Sequence, residues 1–200
     1  MRLGECATIR SGLVLARKES KPEAEMKFQY PLLTLRSIDA RGYIERSEIS
    51  AFEATEVLDA DYLTRQRDII VRLSAPYTAV LIEKETEGMV VSSNFVIIRT
   101  HESKLLPEYL CWLLNTEKVR KNIFANTFSS MIATIKASYF VNLELSLPSV
   151  DRQRKIAAVY RLAQREIKLL RQLAEEKERY YGALLEAINA QKTIELDGRI

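Results

Sequence analysis

Two hundred residues hold one domain of about 100–150 residues and an appendage. Apolar side chains make up 47% of the chain, which supports a packed core and excludes a disordered tail. The formal charge of +3 is unevenly placed. Residues 1–150 carry 19 Lys+Arg against 19 Asp+Glu, and residues 151–200 carry 11 against 8. A polyanion binder built this way must segregate its charges onto faces.

Residues 3–9 open as a short helix or a strand and stop at Ser11-Gly12. Charged residues and Pro22 make 17–27 a loop. Residues 31–38 (PLLTLRSI) alternate as a strand, Arg41-Gly42 turns the chain, and Tyr43-Ile44 resume extended structure. Residues 59–63 form a helical turn. Residues 68–73 (DIIVRL) and 78–82 (TAVLI) read as buried strands around a loop at Ser74-Ala75-Pro76-Tyr77. Val90 to Ser92 lead into a further strand at 94–99 (NFVIIR). Pro107 suits the first position of a helix that runs through Asn115, and a second helix covers 116–126. Residues 142–147 (NLELSL) alternate and are expected to close the head as a strand.

From about Asp151 to Gln191 the pattern is one amphipathic helix, some 40 residues or ~60 Å. Asp151 fits the N-cap or the first turn. Steps of four and three from Ile156 give Tyr160, Ala163, Ile167, Leu170, Ala174, Lys177, Tyr181, Leu184, Ile188 and Gln191, of which all but Lys177 and Gln191 are apolar or aromatic. A heptad seam held for about five heptads signals a coiled coil. The competing arrangement, a helix folded back on its own head, is disfavoured because the helix outruns a domain of that size. The element order is α+β: a globular head over 1–148, then a long coiled-coil helix over 149–200.

The chemistry of an autonomous enzyme is missing. Six glycines never form G-x-G, so neither a glycine-rich methyl-donor loop nor a P-loop is present. Ala75-Pro76-Tyr77 is a turn and not a Pro-Pro-aromatic acceptor motif. Glu166-Ile167-Lys168 and Glu175-Glu176-Lys177 have nuclease-like spacing but sit on the long helix as solvated charges. His101 is the only histidine, which leaves little for zinc or imidazole catalysis. No catalytic or metal-binding residue is expected. Cys6 and Cys111 form neither a disulfide framework nor a zinc pattern and fit a reducing cytoplasm. Glu5, Arg10 and Arg17 interrupt any signal-peptide core, and no run approaches the ~18 apolar residues of a membrane span.

Binding chemistry is better represented. Arg10, Ser11, Arg17, Lys18, Arg36, Arg72, Tyr77, Ser92, Ser93, Asn94, Ser129 and Ser130 lie in or beside turns. Hydroxyls and cations of this kind contact phosphates, and Arg and Asn can read guanine and adenine edges. Taken singly, each cluster is also what a solvated loop looks like. Ile156, Tyr160, Ile167, Leu170, Tyr181, Leu184 and Ile188 are the candidates for helix pairing.

In order, these pieces resemble the specificity (S) subunits of type I restriction–modification systems, at half length. Leu3-Gly4-Glu5-Cys6-Ala7-Thr8-Ile9-Arg10-Ser11-Gly12 looks like the opening L-G-[DE]-…-I-x-x-G. Tyr30-Pro31-Leu32-Leu33, Ile38-Asp39 and Gly42-Tyr43-Ile44 match the next strand pair. Residues 63–71, Val80 and Val91-Ser92-Ser93-Asn94-Phe95 follow the L-x-x-G-D-I-L stretch and the strands after it. Pro107-Glu108-Tyr109-Leu110 with Leu113-Leu114 match the first helix. Residues 143–156, with Leu147-Pro148 and Gln153-Arg154-Lys155-Ile156, follow the run into the long helix. The chain departs from the pattern at Arg67, where a glycine precedes the aspartate, at Arg152-Gln153, where a Glu-Gln pair is usual, and at Phe128-Ser129-Ser130, which lacks glycine.

The resemblance implies that residues 1–148 form a target recognition domain reading a few base pairs of double-stranded DNA. It also implies that residues 149–200 dimerise, space the domains and dock the modification subunit and, through it, the restriction subunit. One domain and one helix imply an antiparallel homodimer on an interrupted palindrome. Methyl transfer from S-adenosylmethionine and ATP- and Mg-dependent cleavage would belong to partner subunits, with no cofactor in this cytoplasmic chain. Arg161, Arg165 and Lys168 would face the modification subunit or a DNA phosphate. The alternative is a coiled-coil interaction adaptor without DNA binding, which salt-sensitive duplex binding distinguishes.

Overall fold

The computed structural model describes residues 1–20, 27–126 and 134–197, with side chains through 190. It divides into two compact units, Met1–Ala157 and Ala158–Ile200.

Among the described residues of the first unit, seven strands make two sheets. β1 (Ala7–Ser11), β4 (Ile69–Arg72), β5 (Ala79–Leu81) and β7 (Phe95–Thr100) form an antiparallel sheet in the order β1-β7-β4-β5. β2 (Phe28–Leu33), β3 (Ser50–Ala54) and β6 (Val90–Val91) form a smaller one in the order β3-β2-β6. β4 through Val71 and β7 through Ile98 are uninterrupted apolar runs because both faces of their sheet are covered there. Ile69 pairs with Ile98 and Val71 with Val96, and these four face the cluster that holds Leu110, Leu114 and Phe140. Ile70 and Ile97 are opposite each other and, with Phe95, face a second cluster around Leu33, Ile38 and Ile82. All seven side chains are fully buried, worth roughly 1.5–3 kcal/mol each.

The helices α1 (Pro107–Leu114), α2 (Glu117–Ala125) and α3 (Ala137–Asn142) supply the first cluster. Pro107 occupies the start of α1 as expected. At its end, Asn115 acts as a surrogate strand. Its Nδ2 donates to the Ala79 carbonyl (2.8 Å) and its Oδ1 accepts from the Ala79 N–H (3.0 Å), closing the edge of β5.

The structure corrects two sequence expectations and adds two elements. Residues 142–147 are not a strand. α3 ends at Asn142, and residues 143–145 pair only with residues 1–3, through the Arg2–Glu144 bridge and the Leu3 N–H to Leu143 and Leu145 N–H to Met1 bonds (2.9 Å each), too short a pairing to make a strand of NLELSL. β2 ends at Leu33 and not at Ile38, because the Thr34 and Ser37 hydroxyls fold the chain into a turn. β3 and α3 carried no sequence signal that was read. The first compact unit runs on to Ala157, inside the long helix. Gln153 is buried, its Oε1 accepting from the Leu106 N–H (3.0 Å) and its Nε2 donating to the Lys104 and Pro148 carbonyls (3.0 Å each). The first turns of the long helix are thereby part of the head.

That helix, α4 (Val150–Asp197), is continuous. Asp151 sits in its first turn, paired with Arg154 at 2.7 Å. Ile156 packs against the first core cluster, which withdraws it from the proposed seam. Beyond Ala157, Ile167, Leu170, Tyr181, Leu184 and Ile188 are 40–59% exposed. A second row, Val159, Leu162, Leu169, Leu173 and Tyr180, is exposed as well.

Candidate nucleic-acid interface

The strand ends Ser11, Arg72, Ala79 and Phe95 meet at one end of the four-stranded sheet. Three backbone links gather loops there. Leu73 N–H donates to the Asn94 carbonyl (3.0 Å), Ser93 N–H to Leu13 (2.7 Å) and Ile135 N–H to Leu73 (2.8 Å), and Ser74 bridges Thr134. Gly12 makes the approach possible: a Cβ there would stand 2.1 Å from the Ser92 carbonyl oxygen. This gives the opening I-x-x-G motif a physical reason.

The loops enclose an open cleft of about 470 Å³ lined by Ser11, Ser74, Ser93, Asn94, Thr134, Lys136 and Ser138, with Leu73, Ile135 and Ala137 at its apolar side. Its lining has several hydroxyls, one amide, one ammonium and no carboxylate. Hydroxyls and a lysine suit a phosphodiester, and the amide suits a phosphate or a base edge.

Of the residues singled out in the sequence, Ser11, Ser93 and Asn94 line this cleft. Ser74, Thr134, Lys136 and Ser138 also line it and are not among the candidate residues of the sequence. The last three are brought in by long-range pairing that no local pattern announces. Tyr77 and Ser92 are corrections: they are 2% and 4% exposed and belong to the fold, since the inward positions of these turns look like the outward ones in sequence. Arg72 reaches the same sheet end, but its guanidinium donates to the Ile38 carbonyl (3.1 Å), and burial lowers its pKa.

Arg10 and Ser11 alternate across β1, so Arg10 leaves by the other face. It pairs with Asp61 and lies 4.9 Å over the Tyr62 ring. Asp61 also meets Arg65 (3.0 Å) and Arg99 (3.1 Å), and Arg99 holds buried Asp68 through two bonds of 2.9 and 3.0 Å. Burial opposes ionisation of Asp61, but the charges of Arg10, Arg99 and Arg65 outweigh it and hold its pKa below the usual carboxylate range. Lys18 pairs with Glu56, while Arg17 and Arg36 are exposed. Ser129 and Ser130 lie outside the described residues. Cys111 is fully buried, and burial first, then Glu108, pushes its thiol up to about 12, which leaves no reactive thiolate there.

Arg67, which stands where the family pattern has glycine, keeps the glycine conformation with φ of 72°. Its guanidinium meets Glu102 (2.7 Å) and Glu108 (3.2 Å).

Three solved structures that share this fold come from restriction–modification systems. A chain from a type I R-M system, in a study of complex assembly and conformational transition, aligns with TM-score 0.62 and 20% identity over 89% of this chain and 45% of its own length. The HsdS subunit from Thermoanaerobacter tengcongensis aligns with TM-score 0.58 and 18% identity over 90% and 45%. The type I S subunit from M. genitalium gives 0.52 and 12% over 84% and 39%. At these identities the likeness is one of fold, and the chain spans less than half the length of each. A search of curated proteins gave no match. The profile of the type I restriction modification DNA specificity domain matches residues 1–179, and the chain belongs to that family.

Proposed function

We propose that this chain is a non-catalytic DNA sequence-specificity subunit of a type I restriction–modification complex. Its head is the target recognition domain for one half-site of a bipartite duplex. The observation that carries this reading, within a chain of this family, is the acid-free cleft of Ser11, Ser74, Ser93, Asn94, Lys136 and Ser138 at one end of the sheet. Ser11, Ser93, Asn94 and Lys136 contact DNA there, and the exposed Arg17 and Arg36 extend the contact.

α4 pairs with α4 of a second copy, antiparallel, through Ile167, Leu170, Tyr181, Leu184 and Ile188. A helix of 48 residues, ~72 Å long, then spaces two identical half-sites. The second exposed row, Val159, Leu162, Leu169, Leu173 and Tyr180, widens the stripe beyond a two-stranded seam and supports docking of a modification subunit. Arg161, Arg165 and Lys168 are exposed beside it. Methyltransfer and cleavage belong to the partner subunits, with their S-adenosylmethionine, ATP and Mg, in the cytoplasm. Among the described residues no helix is long and apolar enough to cross a membrane.

The test is co-purification with the cognate modification subunit and methylation mapping of genomic DNA. An interrupted palindrome with identical halves is expected. An asymmetric target would replace the homodimer with a pairing to a different recognition domain. No complex, no methylation and no salt-sensitive duplex binding would move the function to a protein-interaction adaptor.

A further inference from the structure

The loop between β2 and β3 is held more firmly than a connector needs. The Thr34 and Ser37 hydroxyls lie 2.9 Å apart, and Ser37 Oγ donates to the Glu48 carbonyl at 2.8 Å. One Asp39 oxygen, Oδ1, accepts from the N–H groups of both Arg41 and Tyr43 (2.9 Å each). Gly42 takes a φ of 91° where a Cβ would stand 2.8 Å from the Ala79 carbonyl oxygen.

Beneath the loop, Arg72 donates to the Ile38 carbonyl (3.1 Å), while Arg120 (3.4 Å) and the Thr78 hydroxyl (3.3 Å) donate to that of Ala40. Arg72 is partly desolvated, and its Nε is buried with no hydrogen-bond partner in the structure. The cation is thus kept under the loop at a cost. At its β2 end the braced loop presents Arg36 and Arg41, both exposed, while a third exposed arginine, Arg46, lies toward β3 beside exposed Glu45 and Glu48. Asp39, between Arg36 and Arg41, spends its carboxylate on the backbone.

This differs from the cleft. Arg72 and Leu73 are adjacent, yet Arg72 turns to the loop and Leu73 to the cleft. The sheet end therefore carries guanidiniums on one flank and hydroxyls with a lysine on the other. A lysine ammonium is a mobile point charge suited to phosphate, whereas a guanidinium on a fixed backbone matches the two acceptors of a guanine edge. We propose, resting on the DNA-specificity reading, a division of labour: Arg36 and Arg41 read base edges, and Lys136 in the cleft seats the phosphate backbone. Arg41 is thereby added to the residues that determine binding, and Arg36 and Lys136 receive distinct roles.

The experiment uses the full chain with a randomised duplex pool and, on the selected duplex, binding at a series of salt concentrations. Arg36→Ala or Arg41→Ala is expected to relax one position of the selected sequence and to weaken the cognate duplex about 10- to 100-fold, leaving random duplex nearly unaffected. Lys136→Ala is expected to weaken all duplexes alike and to reduce the slope of log K against log salt by about one. All three side chains are exposed, and unchanged melting temperatures confirm intact folds. If wild type selects a sequence and both arginine variants select the same one, or weaken every duplex equally, the loop is not the reader. A Lys136→Ala variant that changes sequence preference overturns the other half. If wild type shows no salt-sensitive duplex binding, the DNA-specificity reading itself fails and takes this inference with it.

Discussion

The head and the long helix dispose of their apolar side chains in opposite ways. In β4 and β7, Ile69, Ile70, Val71, Phe95, Val96, Ile97 and Ile98 are all inaccessible. On α4 beyond Ala157, large apolar residues from Val159 to Ile188 stay 40–68% exposed, with Tyr160 alone of intermediate burial. The head closes its core with its own chain. A stripe that broad is what the proposed pairing with a second helix would cover, and such pairing would then supply the helix with stability that the head does not. If that division is right, substitutions in the two regions act on different observables.

The largest effect is expected in the head. Phe140 is fully buried in the first cluster, edge-on to Tyr139 with ring centroids 5.5 Å apart. Phe140→Ala should cost about 3–5 kcal/mol of stability, measured by urea unfolding, while the dimer dissociation constant of the surviving folded protein stays within about twofold. A parallel loss of dimerisation would show that head and helix are not separable.

The converse experiment places a charge on the stripe. Leu170→Glu should raise the dimer dissociation constant at least ~100-fold, about 2.7 kcal/mol, by sedimentation equilibrium, with no change in the urea midpoint of the head. An unchanged constant would exclude the seam through Ile167 and Leu170 and direct the same test to Leu162 and Leu169 in the second row.

How much of this was legible in the sequence follows the range of the interactions. Apolar runs announced β4 and β7, Pro107 announced α1, and Asp59 announced the turn in which it accepts from the Asp61 N–H at 2.8 Å. Each of these is a local pattern. α3 and the segment before it were not legible, because Thr134 is fixed by Ser74 and Ile135 by Leu73. Ser11, Ser93 and Asn94 were found as turn residues. Tyr77 and Ser92 were misplaced by the same signal, which marks a turn but not which of its side chains point inward. Lys136 had no signal at all, since its place depends on the same long-range pairs.

A smaller effect tests where the two regions divide. Gln153 satisfies the Leu106 N–H and the Lys104 and Pro148 carbonyls from inside α4. Gln153→Ala leaves them without these partners in a buried setting, at about 1–3 kcal/mol. The specific readout is hydrogen exchange at the Leu106 amide, which should lose protection while Ile97 and Ile98 keep theirs. Retained protection at Leu106 would mean that the head ends before α4 begins.

The smallest expected effect is also the most discriminating about sequence and backbone. Arg67 holds a left-handed φ of 72°, which costs a non-glycine residue on the order of 1 kcal/mol. Its exposed pairs with Glu102 and Glu108 offset this by about 0–1 kcal/mol. Arg67→Gly relieves the backbone and loses the pairs, so it should be more stable than wild type by about 0–1 kcal/mol. Arg67→Ala loses the pairs and keeps the strain, so it should be less stable than the glycine variant by about 1 kcal/mol. High salt screens the pairs, so Arg67→Gly should gain on wild type as salt rises, while the gap between the two variants stays fixed. Equal melting temperatures for Gly and Ala would mean that the turn at 65–68 relaxes out of the left-handed region once the guanidinium is gone. The ion pairs, and not the fold, would then be what holds Arg67 in a glycine's place.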